Sequence, residues 1–364
     1  MGIMRSRLVI IPALALGIVA LVYLAGRKSP PRLSEAQSVS VTNSGIVASS
    51  SFKRAARIGA AAETDSDASG STSNLFQRLM AGEADLTPEQ LAEYLRRYGT
   101  NVESLLATQK TNYIRLAAEL FPNDPRVQYA VITRDIFPEA KREWLDRFKQ
   151  SDPNNAIASY LSARENLKAG DRERGLKDFA EAATKPRFND YTLEQVQNME
   201  DAQLSAGRSI VEAKVAAGSG LLLPQLAMFK GLAQDMQAIQ KEYIAAGDTA
   251  SAEALAQMGR ALAQHLISGD GSRPLIGQLV GVAIERIMIS SFPPDSQPAF
   301  LGGTVQQRLD ELTAFRQNVK TLTPAFEPMM ARGDVNEIIS YFDRIKLQGE
   351  YKAMLWLQNR NNLR

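Results

Sequence analysis

The 364-residue chain has 42 Lys and Arg against 40 Asp and Glu, and it is 45% hydrophobic and 7% aromatic. The small net charge of +2 and the few aromatic residues argue against nucleic-acid partners, which call for a clustered basic surface or stacking platforms. The chain has no cysteine and one histidine, His265. Disulfides, thiol nucleophiles, lipid attachment at cysteine and multi-histidine zinc sites are therefore excluded.

An apolar segment, residues 8–26, follows a short basic flank, residues 1–7, that contains Arg5 and Arg7. The segment reads LVIIPALALGIVALVYLAG and carries no charge. As a helix it would extend about 28 Å, close to the thickness of a bilayer's hydrocarbon core. We predict that residues 8–26 form a transmembrane signal anchor, which makes the lipid bilayer a partner of this segment.

Cleavage of this segment as a signal peptide is the alternative. A cleavage site has small residues at positions −3 and −1. Near the end of the apolar run the pairs are Tyr23 with Ala25 and Leu24 with Gly26, so each places a bulky residue at −3. The sequence favours an uncleaved anchor and leaves a cleaved signal open.

The orientation of the anchor depends on the charges that flank it. Arg27, Lys28 and Arg32 nearly balance the basic residues before the anchor. The signal-like order of a basic flank and an apolar run favours an N-in topology with the C-terminal part exported. In a bacterium that compartment is the periplasm.

The composition of the chain changes abruptly at residues 27–74, where twelve of the 48 residues are serine. Such a segment buries too little apolar surface to offset its ordering entropy, and we predict a disordered linker. Lys53, Arg54 and Arg57 leave open a short basic helix on the membrane surface.

Residues 75–200 and 201–364 carry helix start and stop signals throughout. Thr87-Pro88-Glu89-Gln90 is typical of a capping box, with proline at the first helical position. Thr192 begins a similar signature without the proline. Alternating β-branched runs are lacking, so the sequence predicts an all-α fold.

The segment Asp152–Pro186 is the most informative part of this region. It divides into two helical stretches around Gly170-Asp171, and Pro153 and Pro186 are 33 residues apart. This spacing is close to the 34-residue period of tetratricopeptide repeats. The segment resembles that family, and fainter similarity extends over Glu89–Pro186.

The resemblance implies a fold of irregular tetratricopeptide-like helical hairpins, an α-solenoid, with residues 201–364 packed on the repeats. Ala163, Gly175 and Ala182 match the small packing positions of the family, and Phe179 matches the large apolar position between them. Ser159 stands where the family usually has a large aromatic residue, which is a departure.

In the tetratricopeptide family, the first helix of each hairpin lines a groove that binds peptides or extended protein segments. The resemblance therefore implies a partner-binding groove here. Its residues would be Ile157, Tyr160, Arg164, Leu167 and Lys168. An ordinary helix–helix face at the same residues is the alternative.

Three further features favour structural roles. Leu275–Ile289 is strongly apolar, but its fifteen residues are too few to span a bilayer, so a buried core helix is predicted. Glu285 and Arg286 are adjacent on that helix and do not face each other, which favours separate solvent-facing positions. His265 lies in an apolar helical run and is expected at the surface or satisfied within the core.

These observations lead to two hypotheses. The first is a non-enzymatic scaffold or adaptor without a cofactor, tethered to the membrane, that binds a protein or peptide. The second is an exported helical enzyme or carbohydrate-binding protein that acts on cell-envelope polymers. Converging carboxyl groups of perturbed pKa in a closed pocket would favour the second, and an open groove would favour the first.

Overall fold

A computed structural model of the chain describes residues 85–268 and 274–363. Within these ranges every regular element is a helix, and one isolated bridge between Asn155 and Arg187 is the only β contact. The predicted all-α class is confirmed for this part of the chain. The predicted flank (1–7), anchor (8–26) and linker (27–74) lie outside the described residues.

Over residues 85–190, the fold contains seven α-helices and one short 3-10 helix, Pro138–Ala140, that follow one another through short connections. The α-helices are α1 (Pro88–Tyr98), α2 (Val102–Ala107), α3 (Thr111–Leu120), α4 (Pro125–Thr133), α5 (Lys141–Ser151), α6 (Ala156–Lys168) and α7 (Arg172–Thr184). The predicted capping box at the start of α1 is confirmed. The Gln90 amide donates to the Thr87 hydroxyl, and the Gln90 side chain accepts from the Thr87 amide.

Helices α6 and α7 form the predicted hairpin around Gly170-Asp171. Ala163, Phe179 and Ala182 are fully buried between the two helices and their neighbours. A Cβ atom at Gly175 would lie 2.7 Å from Leu167 side-chain carbons and 3.4 Å from the Ala163 carbonyl oxygen. Alanine at position 175 would therefore require the Leu167 side chain to shift.

The second half of the fold begins after a loop that ends at Tyr191. Its helices are α8 (Thr192–Ser205), α9 (Ile210–Ser219), α10 (Pro224–Ala245), α11 (Thr249–Ser268), α12 (Leu275–Ile289), α13 (Val305–Leu322), α14 (Phe326–Arg332), α15 (Val335–Gln348) and α16 (Glu350–Asn362). The predicted helix Leu275–Ile289 is confirmed with the same bounds.

The two largest hydrophobic cores hold most of these helices together, and smaller clusters hold α1 and the first part of α13. The first core runs from Val102 in α2 to Met288 in α12, and α10, α11 and α12 all belong to it. The second core joins α9 to the C-terminal helices α13–α16. The first core thus continues past residue 200, where the sequence interpretation divided the helical region.

One described segment, Ile210–Ala245, is long and apolar enough to cross a membrane by length and composition. Core helices of soluble proteins meet the same test, so this is weak evidence for a membrane span. Residues 220–223 separate the segment into α9 and α10. Buried residues of both helices belong to the two cores.

Candidate functional site

The predicted groove along α6 is filled, which corrects the expectation for two of its residues. Ile157 and Tyr160 are fully buried. The Tyr160 ring lies 5.7 Å from the ring of Phe179 and 6.3 Å from the ring of Phe229 in α10. Because α10 packs across α6, these two side chains belong to the first core and face no open groove.

The other three predicted groove residues lie at the edge of the same contact. Arg164 forms an ion pair with Asp235 of α10. Leu167 is half-buried and packs on the first core. Lys168 is exposed and contacts the Glu165 carboxylate at 3.0 Å. The alternative interpretation, a helix–helix face, describes Ile157, Tyr160 and Arg164 better than a partner-binding groove does.

Glu285 departs from its predicted solvent-facing position, because it is fully buried. The Arg308 guanidinium donates to both of its carboxylate oxygens, at 2.8 and 2.9 Å. Arg260 lies 3.2 Å from the same carboxylate. This cluster joins α11, α12 and α13. Arg260 and Arg308 are distant from Glu285 in the sequence, so the spacing of neighbouring residues did not predict them as its partners.

His265 stacks on Phe188, with the ring centroids 5.0 Å apart and the planes at 10°. Burial lowers the pKa of His265, which favours the neutral ring. The half-buried ring lies between the two expected placements, the surface and the core.

An open groove of about 710 Å³ runs along the exposed face of α8, and we call it the α8 groove. Helices α2 and α4 form one wall, and α15 forms the other. The groove is lined by Glu103, Arg126, Leu193, Glu194, Gln197, Asn198, Asp343, Lys346 and Leu347. It therefore lies between elements of the first core and of the second core, as many binding clefts do.

Ion pairs beneath the α8 groove join α8 to α9 and to the α15 wall. The Lys214 ammonium contacts Glu200 at 2.8 Å and Asp343 at 2.6 Å. The Lys346 ammonium contacts the other oxygen of Glu200 at 2.8 Å and donates to Gln197 at 3.1 Å. Lys214 and Glu200 are both buried, so this network links α8, α9 and α15 firmly.

Two leucines are the main apolar residues of the α8 groove. Leu193 on α8 is 39% exposed and Leu347 on α15 is 73% exposed. Charged wall residues surround them, and Arg126 is already paired with Glu103 at 2.6 Å and Asp124 at 2.7 Å. Exposed apolar residues inside a polar rim are typical of a surface that binds a protein.

A small side cavity of about 40 Å³ adjoins the α8 groove at the start of α8, and we call it the Asp190 pocket. It shares Arg126, Glu194 and Asn198 with the groove. Its volume has room for about three water molecules. Helix α4, the first turns of α8 and residues 222–225 form its walls.

Asp190 is the most deeply buried charged residue of this pocket. Its carboxylate accepts from the Thr192 amide and from the Gln225 side chain, each at 3.1 Å. Burial raises the pKa of Asp190, and these hydrogen bonds oppose the shift. Among the described residues, no Lys or Arg nitrogen lies within 4.0 Å of the carboxylate.

Arg134 and Tyr129 place two further polar groups at the pocket. The Arg134 guanidinium donates to the backbone and side-chain oxygens of Gln109, each at 3.2 Å. In the described part of the chain, no carboxylate lies within 4.0 Å of it. Burial lowers the pKa of Arg134. The buried Tyr129 hydroxyl finds no hydrogen-bond partner among the described residues.

Strained backbone is concentrated around the same pocket. Gln109, Asp135 and Tyr191 are the non-glycine residues with positive φ in the described ranges, at 53°, 53° and 54°. Gln109 accepts from Arg134, Asp135 follows Arg134 in the chain, and Tyr191 follows Asp190. Residues in this conformation cost about 1–3 kcal/mol each and are often found at binding sites.

Sequence reasoning found neither the α8 groove nor the Asp190 pocket. It expected Thr192 to cap α8, whereas Tyr191 occupies the N-cap position and the Asp190 side chain accepts from the Thr192 amide. One signal was available: Leu193 lies at the edge of the face of α8 that buries Met199 and Ala202. An aliphatic residue at the edge of a buried helix face indicates a contact surface.

No protein-family model, curated protein or solved structure matches the chain. The similarity to tetratricopeptide repeats therefore rests on the residues of Asp152–Pro186. No group of three or more His, Cys, Asp or Glu residues in the described ranges is placed to hold a metal ion.

Proposed function

We propose that the protein is a non-enzymatic scaffold, tethered to a membrane through residues 8–26, that binds an extended segment of a protein partner in the α8 groove. The observation that carries this proposal is the exposure of Leu193 and Leu347 in one open groove between the two cores. The tetratricopeptide-like hairpin then serves as part of the frame that supports the groove.

The chemistry of the groove suits a polypeptide. The two leucines provide contacts for an aliphatic side chain of the partner. Gln197 and Asn198 offer amide donors and acceptors to the backbone of an extended segment. The basic residues Arg126 and Lys346 are already engaged with carboxylates, so the groove does not present the free positive surface that nucleic acids require.

The alternative, an exported helical enzyme or carbohydrate-binding protein, finds partial support in the Asp190 pocket. Asp190 and Glu194 both line it, and burial raises the pKa of each carboxyl group, although Arg126 opposes the shift at Glu194. Asp190, however, holds the start of α8 and the Gln225 side chain in place. This structural role favours the scaffold over a catalytic pair.

Photo-crosslinking in native membranes tests the scaffold proposal. A photoreactive amino acid replaces Leu193 in the full-length chain, and the same amino acid replaces Leu120 as the control. Leu120 is also an exposed leucine, at 50%, but it lies outside the groove. We expect a protein adduct at position 193 that is lacking at position 120, and we expect Leu347→Asp to abolish it.

Two outcomes count against this function. One is equal labelling at both positions, which would indicate random surface contact. The other is an adduct at position 193 that persists in Leu347→Asp, because the groove would then not determine binding.

A further inference from the structure

The polar groups of the Asp190 pocket form a set that is complementary to one kind of ligand. Three of the lining residues supply these groups: Tyr129 a hydroxyl donor, Arg134 a guanidinium donor and Asp190 a carboxylate acceptor. Asp190 is buried and Arg134 is half-buried. The two carry charges of opposite sign, and in the described residues neither has an ionic partner within 4.0 Å.

Unpaired groups of this kind are costly in a folded protein. A buried donor or acceptor without a partner costs about 1–3 kcal/mol, and a buried charge costs more. The Tyr129 hydroxyl has no hydrogen-bond partner within residues 85–268 and 274–363, and the charges of Asp190 and Arg134 both act on it. Three strained residues flank the same groups. Their coincidence at one pocket favours a ligand over random defects.

We infer that the Asp190 pocket binds a neutral carboxamide group, as found in asparagine and glutamine side chains. The carboxamide oxygen accepts from the Tyr129 hydroxyl and the Arg134 guanidinium. The carboxamide nitrogen donates to Asp190, whose two oxygens each have acceptor capacity left after one hydrogen bond.

Charged ligands fit this pocket less well. A carboxylate would pair with Arg134, but it would meet the like charge of Asp190. An ammonium group would pair with Asp190, but it would meet Arg134. The volume of about 40 Å³ corresponds to a group of only a few heavy atoms, which matches a carboxamide and excludes a sugar ring.

The pocket opens beside the α8 groove through the three residues that the two share. Resting on the proposed function, the inference assigns the carboxamide to an Asn or Gln side chain of the segment bound in that groove. The pocket would then select among partners, since a site built to hydrogen-bond a group rejects analogues that lack it.

Three small probes with four heavy atoms each test the pocket: acetamide, acetate and acetone. Saturation-transfer NMR on the full-length chain in a mild detergent measures their binding, with empty micelles as the background. Acetamide has both an acceptor and a donor, acetone has only an acceptor, and acetate carries a charge. We expect the acetamide signal to exceed the other two by about threefold or more, as for one hydrogen bond.

Tyr129→Phe is the decisive variant, and Tyr160→Phe is its matched control. Both remove a buried hydroxyl without a hydrogen-bond partner in the described structure, but Tyr160 does not line the pocket. We expect Tyr129→Phe to weaken the acetamide signal about three- to tenfold and Tyr160→Phe to leave it unchanged. Circular dichroism and thermal unfolding confirm that both variants fold.

Three results would overturn the inference: acetate binding as strongly as acetamide, no effect of Tyr129→Phe, or an equal effect of Tyr160→Phe. The probes do not occupy the α8 groove, so Leu347→Asp should leave their signals intact. If the probes bind as expected and the Leu193 crosslinking fails, the carboxamide site is supported and the scaffold function is contradicted. If the Leu193 crosslinking succeeds and the probe results fail, the α8 groove is supported and the carboxamide site is wrong.

Discussion

Single glycines show how closely the helices of the first core approach one another. A Cβ atom at Gly281 would lie 2.7 Å from the backbone oxygen of Ala263 and 2.8 Å from an Ile267 side-chain carbon. A Cβ atom at Gly277, one helical turn earlier, would meet nothing within 4 Å. Glycine is therefore required for close packing at one position of α12 and not at the other.

This difference gives a matched pair of variants. Gly281→Ala should lower the free energy of unfolding by about 1–3 kcal/mol, because a rigid backbone atom is in the way. Gly277→Ala should raise it by up to about 1 kcal/mol, through better helix propensity. Urea unfolding of the full-length chain in mild detergent measures both. If the two variants shift in the same direction, the packing of α11 on α12 described above is wrong.

Glu350 provides a test of burial that depends on pH. The side chain is buried and accepts from the Leu275 amide at 2.7 Å, which caps α12. Burial raises the pKa of Glu350 above its unfolded value, although this hydrogen bond opposes the shift. The ionised form is thus disfavoured in the folded state, so stability is lost as pH rises through the folded pKa.

Glu350→Gln keeps an oxygen for the Leu275 amide and removes the charge. We expect the variant to be more stable than wild type near neutral pH, with the gain vanishing towards about pH 4 as the wild-type carboxyl becomes protonated. Glu327→Gln is the control, since Glu327 is an exposed acidic residue in the first turn of α14. A gain that grows as pH falls would contradict the assigned sign.

At the scale of the element, local signals determined the helices well. The cap at Thr87, the turn at Gly170-Asp171 and the bounds of Leu275–Ile289 all depend on residues a few positions apart. The element that packs against a given helix face, by contrast, is not determined by residues a few positions apart. Helix α10 begins 56 residues after Lys168, and no local pattern in α6 names it as the element that covers Tyr160.

The composition of α6 did indicate that this helix is buried on several sides. Ala156, Ile157, Ala158, Tyr160 and Leu161 occupy several sides of the helix, and all are fully buried. A helix that is apolar or small on every side is typical of a buried helix rather than a groove wall. The α8 groove could not be found in this way, because it forms where helices from distant parts of the chain meet.

The α6–α7 hairpin supports a prediction about its own packing. Ala163→Leu and Ala182→Leu should each lower the free energy of unfolding by about 1–3 kcal/mol, because both positions are fully enclosed. Lys168→Ala should change it by less than about 0.5 kcal/mol, as the side chain is exposed. Unfolding by urea compares the three. Wild-type behaviour of both leucine variants would mean that the register of the hairpin is wrong.

At the scale of the whole molecule, the ion pairs under the α8 groove join α8 to α9 and α15 of the second core. Lys214 is the central group, because it contacts Glu200 and Asp343 at once. The two tryptophans report the cores separately: Trp144 belongs to the first core and Trp356 packs against the second. The chain contains no other tryptophan.

Lys214→Met should loosen the second core more than the first. It leaves the buried Glu200 carboxylate with Lys346 as its remaining partner. We expect a loss of about 2–3 kcal/mol, less than the about 3–5 kcal/mol for a buried pair that loses all compensation. With Trp144→Phe or Trp356→Phe backgrounds, fluorescence should show the Trp356 transition moving to lower urea than the Trp144 transition.

The double variant Lys214→Met/Glu200→Gln decides whether charge is the cause. Glutamine removes the carboxylate that lost its partner, so part of the stability should return, and the two tryptophan transitions should move together again. If the double variant is less stable than Lys214→Met alone, α8 is held against α9 and α15 by packing rather than by these ion pairs. The position of α15 beside α8, and with it the shape of the α8 groove, would then depend on helix packing rather than on this network.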